Sequence, residues 1–217
     1  MSSRDTPTQP AGGAAPALDT KRICVYLGGN LGREQRYLDE AQTLGRLMAA
    51  DGIGLVYGGA RVGLMGVLAR TVLDCGGSVT GVVPRQLSYQ DLALDSLSEL
   101  HEVDTMHERK HLMQSLANAC LALPGGFGTL EEMFEALTWS QRPLELHEKP
   151  CVFLNVDGYY DHLFEFLDHA AERGLLLPAN RALALQAPTA EAALRVIQKA
   201  WADEEAAMLQ VMRAYEQ

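Results

Sequence analysis

The chain has 217 residues, 47% of them apolar, with a formal net charge of −10; this suits one α/β domain with a sizeable core. An acidic chain gains nothing from counterion release off a phosphate backbone, which disfavours nucleic acid but leaves room for a small anion held by local amides and a few cations. No apolar run reaches transmembrane length, so no membrane partner is expected. Residues 1–20 are rich in Ser, Thr, Pro, Gly and Ala and lack the apolar stretch of a secretory signal. They read as a disordered tail ahead of a domain over 21–217. Cys24, Cys75, Cys120 and Cys151 form no CxxC pair, and three of them fall in strand-like runs. They read as free thiols of a cytoplasmic protein.

In chain order, residues 22–27 read as a first strand, stopped by Gly28-Gly29-Asn30. A helix is predicted over 34–50, with Tyr37, Leu38, Leu44, Leu47 and Met48 as its apolar face. A strand over 53–57 ends at Gly58-Gly59, and a helix follows over 63–74. A third strand over 79–83 is closed by Pro84. Residues 85–98 read as irregular with a short helical turn, and 100–103 as an edge strand. A helix over 105–118 leads to a fourth main strand at 119–123. Strands at 151–155 and 183–187, a helix over 159–171 and a long helix from Thr189 complete the pattern. Such alternation implies a Rossmann-like, doubly wound parallel sheet in a single domain. Ligands of such sheets bind at the carboxyl ends of the strands. Gly28, Gly58, Gly59 and the glycines of 125–128 are therefore expected to converge there.

The most informative stretch is Pro124-Gly125-Gly126-Phe127-Gly128-Thr129-Leu130-Glu131-Glu132. A buried strand, a glycine loop and a helix N-terminus together make an anion site. Thr129 is expected to cap that helix, with Glu132 completing a capping box. The loop lacks the lysine of a P-loop. Gly58-Gly59-Ala60-Arg61-Val62-Gly63 approaches a dinucleotide fingerprint but has Ala in place of the second glycine, which argues against NAD. His107-Glu108-Arg109-Lys110-His111 spells the zinc-protease pattern H-E-x-x-H, yet two cations occupy its middle and no third ligand follows at a recognised spacing. A solvated helix face is the better reading, with no metal and no organic cofactor.

Met106, Arg109, Met113 and Leu116 recur at helical spacing, which places Arg109 on an inward stripe. A buried arginine needs a carboxylate or an anionic ligand; a core ion pair and an active-site role both satisfy that. Lys110, one step round, is expected to reach the same edge. On the next helix Glu132, Glu135 and Trp139 share a face. A tryptophan on an otherwise acidic face suits a subunit interface.

These residues resemble the Lonely Guy family, best known as cytokinin riboside 5′-monophosphate phosphoribohydrolases. Its hallmark P-G-G-x-G-T-x-x-E is matched in full at Pro124–Glu132. Met106-His107-Glu108-Arg109-Lys110, Val56-Tyr57-Gly58-Gly59, Gly63-Leu64-Met65-Gly66, Thr138-Trp139, Gln141 and His147 with Lys149-Pro150 also match. The likeness covers about residues 22–200. The chain departs at Gly28-Gly29-Asn30, where the family usually has Gly-Ser-Ser. It departs again at Gln86, where plant members carry Glu, and at the longer Arg142–Leu146 link.

The resemblance implies a Rossmann-like homodimer or higher oligomer with sites at the subunit interface. It implies hydrolysis of a purine riboside 5′-monophosphate, AMP included, to free base and ribose 5-phosphate. Glu132 and Arg109 would be catalytic. Gly28, Gly58, Gly59, Lys110, Gly125, Gly126, Phe127, Gly128, Thr129 and Glu131 would bind substrate. The alternative is a non-catalytic nucleotide or molybdenum-cofactor carrier on the same fold, which would need no Arg109–Glu132 pair. A lysine decarboxylase reading has no Schiff-base lysine with a pyridinium partner behind it.

Overall fold

The computed structural model describes residues 20–88, 97–141 and 149–215. Strands β1 (Arg22–Tyr26), β2 (Gly54–Tyr57), β3 (Val79–Pro84), β4 (Glu99–Val103), β5 (Ala119–Ala122), β6 (Cys151–Leu154) and β7 (Ala184–Ala187) make one sheet. Between and after them run α1 (Gln35–Ala50), α2 (Gly63–Asp74), α3 (Arg85–Ser88), α4 (Met106–Ser115), α5 (Phe127–Ser140), α6 (Asp161–Glu172), α7 (Pro178–Ala182) and α8 (Ala190–Tyr215). The sheet order is β4-β3-β2-β1-β5-β6-β7, with every pairing parallel.

The inner strands are short apolar runs buried along their whole length, as β2 and β6 show. That composition suits a sheet covered on both faces. On one face Leu44 and Met48 of α1, Leu68 of α2 and Ile197 of α8 pack against Ile23, Leu55 and Val152. On the other, Met113 of α4, Met133 and Leu137 of α5 and Phe164 of α6 pack against Cys24, Val56 and Phe153. β4 is the exposed edge expected of it.

The strand order reverses at β1. Chain leaving β1 goes to β2 on one side, and β5 lies on the other. The loops that follow β1 and β5 therefore diverge and leave a crevice at the carboxyl ends of the two strands.

Most expected elements are present with ends moved by one or a few residues. Pro84 is the last residue of β3 rather than the stop beyond it. The helix expected from 159 begins at Asp161, because a 3-10 turn over Val156–Gly158 comes first. Helix α7 was not anticipated; Pro178 opens it at a position where the missing N–H costs nothing. All four cysteines are free, with Cys75 exposed and the other three buried. The tail expected over 1–20, apart from Thr20, and the Arg142–Leu146 link lie outside the described residues. Among the described residues no helix is long and apolar enough to cross a membrane.

Candidate active site

A cavity of about 520 Å³ occupies the crevice between β1 and β5, a volume suited to a small ligand. The Gly28–Gly32 loop forms one wall. Pro124, Gly125, Gly126 and the first turn of α5 form the wall opposite, and Leu64 and Met65 of α2 lie beside them. Gly126 caps α5 without any side-chain bond, and the first intrahelical bond here runs from Leu130 N–H to the Gly126 carbonyl at 3.1 Å. The amides of residues 127–129 thus lack helical acceptors and carry the positive end of the helix dipole.

This start corrects the expected cap. Thr129 is the third residue inside α5 and is buried, so it cannot serve as the N-cap, and Glu132 takes no part in a capping box. Thr129 instead fills the space beneath Gly125, where a Cβ would collide with its hydroxyl.

The capping box sits on α4. The Thr105 hydroxyl accepts from Glu108 N–H at 3.1 Å, and Glu108 Oε2 accepts from the N–H groups of Thr105 at 3.2 Å and Asp104 at 2.8 Å. Fixing the start of α4 there brings Arg109 inward. Its Nε donates to the Val82 carbonyl at 3.1 Å, and its Nη1 donates to Glu132 Oε1 at 2.7 Å. The two side chains are 12% and 13% exposed, and both line the cavity. The ion pair and the cavity-facing arginine are thus one arrangement. Burial pushes the Glu132 carboxyl above the ordinary carboxylate range, with the Arg109 charge opposing it. Met106, expected on the inward stripe, is the first residue of α4, 49% exposed, and stands at the cavity wall.

The other expected binding residues divide. Gly28, Gly125, Gly126, Gly128, Thr129 and Glu131 line the cavity. Gly58 and Gly59 do not: a Cβ on Gly58 would strike Nη2 of Arg109, and one on Gly59 would strike Val83. Phe127 points outward, 94% exposed. Lys110 is buried behind the wall, where its Nζ donates to Glu131 Oε1 and lies 3.2 Å from Glu135 Oε2. The hydrogen bond to Glu131 holds its ammonium above the ordinary lysine range.

Two tyrosines of the wall were missed. Tyr37 and Tyr159 meet edge to face at 5.7 Å, and the Tyr159 hydroxyl donates to the Gly125 carbonyl at 2.7 Å. That bond clamps the glycine loop across 34 residues of sequence. The only local hint was a pair of tyrosines at a predicted helix start.

The three side chains of the H-E-x-x-H segment go to different places. Glu108 is committed to the cap, His107 is exposed, and His111 packs on Trp139 with ring centroids 5.6 Å apart. Among the described residues no three His, Cys, Asp or Glu side chains gather as a metal site. What the cavity offers is an anion cradle at the start of α5, with a desolvated carboxylate and a guanidinium beside it.

A family model described as "possible lysine decarboxylase" matches residues 65–197. A "cytokinin riboside 5′-monophosphate phosphoribohydrolase" of Rhodococcoides fascians is 47% identical over 178 residues, covering 82% of this chain and 89% of its own. A "probable" enzyme of the same name from Oryza sativa subsp. japonica is 45% identical over 186 residues, covering 86% and 82%. Among solved structures, the molybdenum cofactor carrier protein of Chlamydomonas reinhardtii superposes with a TM-score of 0.64 over 84% of this chain and 99% of its own, at 22% identity. That last likeness concerns the fold alone. With the hallmark intact at the cavity wall and relatives at this identity over most of both chains, the chain belongs to the Lonely Guy family of cytokinin riboside 5′-monophosphate phosphoribohydrolases.

Proposed function

We propose that the chain hydrolyses the N-glycosidic bond of purine riboside 5′-monophosphates, cytokinin nucleotides and AMP among them. The reaction takes one water. Its hydroxyl joins C1′ of the ribose and its remaining proton goes to the departing base, giving free base and ribose 5-phosphate. The observation that carries this reading is the Arg109–Glu132 pair beside the start of α5, which no side chain caps, in one cavity.

The amides of residues 127–129 receive the 5′-phosphate. As the bond to the base breaks, positive charge develops on the ribose, and the Glu132 carboxylate stabilises it or activates the attacking water. Arg109 orients that carboxylate and balances its charge before substrate arrives. A carrier would use the cradle but has no need of a desolvated acid–guanidinium pair at the reacting end. A decarboxylase working through a Schiff base needs a lysine at the cavity, and among the described residues none lines it. The enzyme acts in the cytoplasm as a dimer or higher oligomer, without metal or organic cofactor.

The test is release of free base from AMP and from isopentenyl-AMP by wild type, Glu132→Gln and Arg109→Ala. Each substitution is expected to lower kcat by about a hundredfold or more, the scale of one preorganised electrostatic group, while the protein stays folded. A Glu132→Gln enzyme that releases base at the wild-type rate would transfer the chain to the carrier reading.

A further inference from the structure

Lys110 carries a charge that the reaction scheme leaves unused, and its placement is unusual. Its side chain is 8% exposed. A lysine that bound the substrate phosphate would have to reach the cavity, and Lys110 is not among the residues that line it. Its ammonium is closed between Glu131 and Glu135, on the helix that supplies Glu132. Two neighbours on α4, Arg109 and Lys110, thus face Glu131, Glu132 and Glu135 on α5, in two rungs that tie the helices together.

We propose that Lys110 is a positioning residue for this reaction: it locks α5 to α4 and neutralises the carboxylates on either side of Glu132, so that Glu132 stays ionised against Arg109. The inference rests on the hydrolase reading above.

The groups that act on Glu132 are Arg109 and Lys110 from α4, Glu131 from α5 and the Cys24 thiol from β1, and Glu135 of α5 meets Lys110. Cys24 is fully buried, and burial pushes its thiol well up, so it stays neutral. Three carboxylates against two cations leave the cluster at −3 + 2 = −1. Without Lys110 it stands at −3 + 1 = −2. Glu135 Oε2, buried and without a hydrogen bond of its own, then loses its one counter-charge in the cluster. Burial already drives Glu132 toward protonation, Glu131 adds to that, and Lys110 opposes it. Removing the opposing charge favours the protonated acid, which cannot stabilise a cationic ribose.

The experiment compares wild type, Lys110→Met, Lys110→Arg and Glu131→Gln in two readouts. One is the pH profile of kcat/KM for AMP. The other is the titration of the Glu132 carboxyl carbon by NMR, assigned by its absence in Glu132→Gln. Lys110→Met is expected to move the acid limb and the Glu132 midpoint to higher pH, costing about tenfold in kcat/KM at the acid edge beyond any loss on the plateau. Lys110→Arg keeps the charge and holds both near wild type. Glu131→Gln, nearly isosteric, moves both to lower pH and decides the matter even if Lys110→Met does not fold. Limb and midpoint unmoved in Lys110→Met or in Glu131→Gln overturn the proposal. If Lys110→Met raises KM alone, Lys110 is a phosphate ligand. If it lowers only Tm, its role is structural. A wild-type protein that releases no base overturns the hydrolase reading instead, and the carboxyl titration still judges Lys110.

Discussion

A methyl group added at Gly58 would collide with Nη2 of Arg109, whose guanidinium is already fixed by the Val82 carbonyl and Glu132. Gly58 therefore makes room for Arg109 and is not among the residues that line the cavity. Gly58→Ala is expected to push the guanidinium off Glu132 and lower kcat by about a hundredfold, the scale of an ångström of misplacement, with a smaller change in Tm. Base release measured beside calorimetry checks this, and an unchanged kcat refutes it. Arg109 and Glu132 were legible in the sequence, one as an arginine on an apolar stripe and the other as the end of a glycine-loop motif. The job of Gly58 was not, because the atom it yields to arrives from a residue 51 positions on (109 − 58). Tyr159 escaped for the same reason: its partner Gly125 is near only once β5 and β6 lie side by side.

Helices α4 and α5 both carry a threonine followed three residues later by glutamate, and only one of the two pairs is a capping box. On α5 the helix begins at Phe127, so Thr129 already lies in the first turn and turns inward. On α4 the chain comes off the edge strand β4 in extended geometry, and Thr105 meets the helix as its N-cap. Spacing alone could not separate these cases; the glycines ahead of Thr129 could have, since a glycine also serves as N-cap. The alternation of strands and helices was legible because each inner strand is a continuous apolar run. The helix starts were not, because caps compete over a few residues. Thr105→Ala is expected to cost about 1 kcal/mol, a fall of roughly 2–4 °C in Tm for a chain of this size. Glu108→Gln, which can still complete the box, should cost much less. Equal losses in calorimetry would show that the charge of Glu108, rather than the box, steadies α4.

At the scale of the whole molecule, large apolar side chains stand exposed at and beside the cavity. Leu31 and Met106 line the cavity and are 48% and 49% exposed, and Phe127 stands almost fully in solvent at the start of α5. On the same helix Trp139 is half-buried against His111. A net charge of −10 makes two copies repel at long range, so an assembly of this chain would have to be held by short-range apolar burial. A second copy seated over this face of α5 would shield Phe127 and Trp139 and would keep bulk water from the cavity. Light scattering at assay concentration is therefore expected to give at least twice the 23.6 kDa chain mass. Raising salt from low to physiological should strengthen the assembly, because screening weakens the repulsion and leaves the apolar contact intact. Trp139→Glu should shift the protein toward monomer and lower base release together, while circular dichroism stays native. Wild type found as a fully active monomer under those conditions would overturn the expected assembly and place the complete site within a single chain.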